Sequence, residues 1–136
     1  MRDRAAAGLI AAVISGAPST LHALATGRDP LAATSAAGSI LLPSERRRAP
    51  LLAAATLVHL SLSLFWASLL PRRAGPLRGA LFGLGIAALD LGVLGRRFPQ
   101  IRALPLAPQI ADHALFGAVA ACVINKKQGV RPLRGR

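Results

Sequence analysis

At 136 residues the chain has room for one compact unit and none for a separate soluble domain. Hydrophobic residues make up 53% of it, and its single cysteine excludes an internal disulfide and a four-cysteine zinc or iron–sulfur site. The formal charge of +12 would suggest nucleic acid for a soluble protein, but the basic residues sit at the edges of apolar runs, as at Arg46–Arg48, Arg72, Arg73, Arg96, Arg97, Lys126 and Lys127. That is where membrane helices meet headgroups, so the expected partners are the lipid bilayer and its anionic headgroups, and nucleic acid is not one.

The first predicted span covers residues 5–25, inside a stretch from Ala5 to Gly27 that holds no Asp, Glu, Lys or Arg. A bilayer core takes about 20 apolar residues at roughly 1.5 Å each. The basic Met1–Arg4 and the Ala23-Leu24-Ala25 pattern also fit a cleavable signal, but the long apolar core and Pro18 favour a retained helix. Pro18 is expected to free a carbonyl one turn earlier and kink the helix, with Ser15, Ser19 or Thr20 re-satisfying the freed groups. Residues 31–42, between Pro30 and Pro43, would make a helix of about 18 Å, too short for a core of roughly 30 Å. Thr34, Ser35, Gly38 and Ser39 share one side of it, so an interfacial or re-entrant helix is expected.

The second span, about 50–70, is bracketed by Pro50 and Pro71, and the third, about 77–95, by Gly75-Pro76 and Gly95. The fourth, about 106–125, opens near Pro105 and Pro108, where a missing amide proton is tolerated. A basic tail follows over 126–136, either merely solvated or laid on an anionic lipid surface. The fold expected is all-α: a single integral domain over 1–136, built as a four-helix transmembrane bundle with a short interfacial or re-entrant helix between spans 1 and 2. With both termini cytoplasmic, the inner segments carry the larger share of Lys and Arg, whereas a fifth span would reverse that balance. In composition and helix count the chain resembles the small, uncharacterised multi-pass membrane proteins of high-GC bacteria. That resemblance implies an inner-membrane location and brings no functional residues with it.

All three histidines and two of the five acids fall inside these spans: His22, His59, Asp90, Asp112 and His113. Charged types near the bilayer centre cost about 2.5 to 3.5 kcal/mol, so such residues normally face the bundle interior. Counting along the helices puts all five in the outer half of the membrane, as one candidate polar layer. Helical spacing groups Thr56, His59, Ser63 and Trp66; Gly79, Gly83, Ile86 and Asp90; and Gln109, His113, Gly117 and Ala120. Gly79, Gly83, Gly117 and Ala121 fall in small-xxx-small pairs that let helix backbones approach. Trp66 is expected as an interface anchor and Cys122 as a small buried apolar residue.

Three functions fit those residues. A small structural or accessory membrane subunit, forming a homo-oligomer or joining a larger complex, would use the His/Asp layer to hold its helices together. A proton or cation transporter component would use the same cluster, since His titrates near neutral pH. Metal or haem ligation is chemically feasible, yet no paired-histidine spacing supports it and no cofactor is predicted. Catalysis finds no support: there is no GxSxG elbow, no Tyr and no acid pair suited to glycoside chemistry.

Overall fold

The computed structural model describes residues 2–129, and every regular element among them is helical. In chain order these are α1 (Arg2–Ser15), α2 (Ala17–Ala25), α3 (Ala32–Gly38), α4 (Arg48–Leu69) and α5 (Pro76–Leu89). A π turn (Asp90–Leu94) and a 3-10 turn (Gly95–Arg97) extend α5, and α6 (Pro99–Arg102) and α7 (Leu106–Gly129) complete the set. Four stretches are long and apolar enough to cross a membrane by length and composition: Arg2–Ala25, Arg48–Leu69, Pro76–Arg97 and Leu106–Lys126. The short α3 and α6 add two helices, so the bundle is not strictly four-membered; α3 spans seven residues rather than the twelve between the flanking prolines. Most of the expected basic tail lies outside the described residues.

Pro18 explains the division of the first stretch. Proline cannot donate within a helix, so α1 stops at Ser15, and α2 restarts with Pro18 in its first turn, where no amide is required. Thr26 and Gly27 end α2: Gly27, at φ 66°, lets its own amide reach Leu24 O (3.3 Å) and the Arg28 amide reach Ala23 O (2.8 Å). A left-handed residue at this position is most cheaply a glycine.

Helix α1 packs against both α4 and α7, α5 lies along α7, and α3 rests on α4. The buried cluster is Ala7, Ala11, Ala67, Leu70, Ala74, Ile86, Phe116, Ala120, Ala121 and Ile124, mostly small side chains. Large apolar residues point outward instead; Val13 is 83% and Leu77 74% exposed. Water would select the reverse arrangement. Between apolar solvent molecules, which are as oily as leucine, helices gain most from close backbone approach, and small residues permit it.

The α5–α7 seam displays that approach. A Cβ at Gly117 would lie 1.9 Å from Gly79 O, one at Gly79 2.6 Å from the Ala121 methyl, and one at Gly83 2.0 Å from His113 O. Nearby, the Arg4 guanidinium donates to Ser68 O and to Leu70 O (3.0 Å), placing a cation on the carbonyl end of α4. Asn125 Nδ2 donates to Ala74 O at 2.8 Å, tying the α4–α5 link to α7. Trp66 packs edge-on to Phe82 (ring centroids 6.3 Å apart) beside this core, and its indole N–H is buried without a partner. Cys122 corrects the expectation of burial. It is exposed, because Ala121 and Ile124 take the inward face of α7 and Cys122 lies about 100° round from Ala121.

Candidate functional site

The break at Gly16 leaves two kinds of backbone group short of partners: carbonyls in the last turn of α1 and amides in the first turn of α2. Side chains from other helices reach both sides of it. His59 on α4 places Nε2 2.8 Å from Ala12 O, and since a carbonyl can only accept, that ring nitrogen carries the proton. Asp112 on α7 accepts the Ser19 amide at Oδ1, 2.9 Å away. Its carboxylate thus sits at a helix N-terminus, where the helix dipole favours negative charge. The local hydroxyls expected to do this work do not supply these partners, and Ser19 Oγ is itself buried without one.

Asp90 and His113 form a second arrangement, between α5 and α7. At Asp90 the α5 hydrogen-bond pattern widens into the π turn; behind it, a Cβ at Gly95 would fall 2.8 Å from Asp90 O. Such single-turn widenings often accompany functional positions. The carboxylate Oδ2 lies 3.5 Å from His113 Nε2, and Nδ1 of the same ring donates to Gln109 O at 2.8 Å. With Nδ1 committed as a donor, only one proton can lie between carboxylate and imidazole, on either side.

These positions replace the expected layer. None of the five residues is buried: His59 is exposed, and His22, Asp90, Asp112 and His113 are partly so. They do not form one buried shelf, because each is drawn to a local need: His59 and Asp112 to the two sides of the break, Asp90 to His113, and His22 to a cleft. The bundle interior between them is filled by alanines, Ile86 and Phe116. Among the described residues no group of three His, Cys, Asp or Glu could hold a metal ion, so the metal reading has no ligand set there.

The cleft is the feature that the sequence did not disclose. It has a volume of about 480 Å³ and lies at the end of the bundle where α2, α3, α6 and the start of α7 meet. Ser19, His22, Ser35 and Gln109 supply polar groups; alanines, Leu51, Leu104, Pro105 and Pro108 supply the apolar remainder. Its rim carries Arg28, Asp29, Glu45 and Arg46. Asp29 is engaged by Arg48 and by the Leu31 amide at 3.0 Å. Glu45 bridges to Arg47 at 2.9 Å and accepts the Arg46 and Arg47 amides at 2.9 and 2.8 Å. The Arg47 side-chain hydrogen bond, then those backbone amides, hold the Glu45 carboxyl down at about 2 and keep Arg47 above its ordinary value. Both rim acids are thereby committed, whereas neither Arg28 nor Arg46 pairs with a carboxylate among the described residues. The signal available in the sequence was the run Arg28-Asp29 and Glu45–Arg48 on either side of α3, four Arg against two acids, but only folding brings its two halves to one rim.

No family model, curated protein or solved structure matches the chain, and nothing in these comparisons indicates catalysis.

Proposed function

We propose that the chain is a small multi-pass protein of the bacterial inner membrane, structural or accessory in role, with four spans and both termini cytoplasmic. The observation that carries this reading is the inverted packing: alanine and glycine inside, Leu, Ile, Val and Phe outside, on helices of spanning length. The His and Asp side chains then serve as braces. In hydrocarbon an unmet amide or carbonyl costs several kcal/mol, and His59 and Asp112 supply partners at the break in the first span. Helix α3 rests on α4 at the outer surface as an interfacial piece. The glycine seam is spent inside the chain, so contact with a second copy or a larger complex uses the leucine-rich outer faces. A cytoplasm-dependent fluorescent reporter should light up at either end of the chain, and the protein should resist carbonate extraction. Release by carbonate, or reporters active at one end only, overturns the reading.

A second reading draws on the Asp90–His113 pair. A carboxylate and an imidazole 3.5 Å apart at a π turn suit a proton- or cation-handling step. Asp90→Asn in reconstituted vesicles separates the two. Lowered thermal stability without ion flux in either protein supports the brace; a correctly folded variant that has lost a wild-type flux supports transport.

A further inference from the structure

We propose that the cleft beside α2 and α3 binds one phosphate group, with Arg28 and Arg46 as its cationic contacts. Three points converge. The volume of about 480 Å³ lies within the range of about 300–1,000 Å³ usual for small-ligand sites. Ion pairing at the rim consumes both acids with Arg47 and Arg48, leaving Arg28 and Arg46, both lining the cleft, without a carboxylate. Guanidinium is the side chain best matched to phosphate, since its N–H groups address two oxygens at once.

The apolar remainder of the lining says what else the ligand carries. A free anion would gain nothing from Leu51, Leu104 and the alanines around them, whereas a glycerophosphate bearing acyl chains would. The cleft also lies where the apolar belt gives way to charged loops, the depth at which phosphate is the abundant anion of a bilayer. This placement rests on the membrane reading given above; the phosphate chemistry of the rim does not.

The test uses the full chain, purified in mild detergent and in nanodiscs of phosphatidylcholine with or without phosphatidylglycerol. Native mass spectrometry should find one phosphatidylglycerol retained, and its affinity should fall about tenfold for each of Arg28→Gln and Arg46→Gln, the loss expected for one charge-assisted hydrogen bond. Arg72→Gln with Arg73→Gln, at the other end of the bundle, should leave it unchanged. Ala103→Leu, at an exposed position on the cleft wall, keeps both arginines but narrows the space, and should also lower retention. Calorimetric titration with inorganic phosphate in detergent distinguishes the source: binding with the same arginine dependence assigns the cleft to a soluble phosphate. Binding of neither probe, equal losses from both arginine pairs, or full retention in Ala103→Leu overturns the site. A chain that resists carbonate extraction yet binds neither probe loses only the site; one that carbonate releases loses the membrane reading, and the calorimetry still decides the cleft.

Discussion

The two ends of the bundle are held by different physics. Near the chain termini, α5 and α7 touch through glycine, with backbone against backbone, and Arg4 and Asn125 close the link between α4 and α5. At the opposite end the first span is broken, α5 unwinds into a π turn, and long polar side chains reach across to meet backbone groups, leaving a cleft. Close packing admits almost no alternative arrangement, because a single methyl has nowhere to go. Side-chain bracing fixes only the groups it touches and leaves space between them. The end that would be rigid is therefore the one without ligand chemistry, and the end with ligand chemistry is the looser.

The largest test of this contrast is Gly117→Ala. Its Cβ would meet Gly79 O at 1.9 Å and Gly83 N at 2.9 Å, both backbone atoms that cannot rotate away, so the helices must separate. We expect a loss of about 3 kcal/mol, the upper part of the usual range for overpacking. Gly85→Ala, where a Cβ meets nothing within 4 Å, should instead stabilise by about 0.5 to 1 kcal/mol through helix propensity. Thermal unfolding in detergent measures both. Equal effects would mean that the seam is not the rigid element.

Asp112→Ala probes the braced end. Removing the carboxylate leaves the Ser19 amide unmet, at a cost of about 1 to 3 kcal/mol. The cost should depend on the break. In a Pro18→Ala background the helix can close over Gly16 and return the Ser19 amide to an intrahelical carbonyl, so Asp112→Ala should cost little there. A double-mutant cycle with a coupling near zero would show that Asp112 does not act through the break.

How much of this could be read from the chain follows the same division. The spans stand out as long apolar runs, the first two of them free of charge, and the spacing of Gly79, Gly83, Gly117 and Ala121 is a local property of one helix at a time. Pro18 marks the break but not its partners, which depend on how α4 and α7 are rotated about α1. That rotation is hard to infer when a helix is apolar all round: the spacing that groups Thr56, His59, Ser63 and Trp66 mixes two exposed residues with one buried one. The π turn shifts Asp90 off ideal helical register, and the cleft is made by loops and short helices without periodicity. Both lie beyond what spacing can encode.

A smaller effect is expected at Asp90 and His113. His113→Ala removes one interhelical contact, and such contacts average about 0.6 kcal/mol with a maximum near 1.7. Asp90→Asn should lose a similar amount, and the double variant no more than either single one if the two residues act only on each other. Additive losses in thermal unfolding would show that each also braces something else.

The smallest expected change is also the most local. Glu45 is an acid whose folded value, about 2, lies below its ordinary 4.5, so its contribution is fully present above about 4.5 and is lost as pH falls through 2. Its partner Arg47 is exposed to solvent, and no measurable change in global stability is expected from the pair. What should change is the rim: protonation removes the acceptor for the Arg46 and Arg47 amides and frees the Arg47 guanidinium. The nitrogen shifts of those two amides should titrate together with a midpoint near 2, and Glu45→Gln should abolish the step without affecting residues of the glycine seam. A midpoint near 4.5 would show that the rim is no better ordered than a free loop, and Arg28 and Arg46 would then no longer stand out as the cations that its ion pairs leave over.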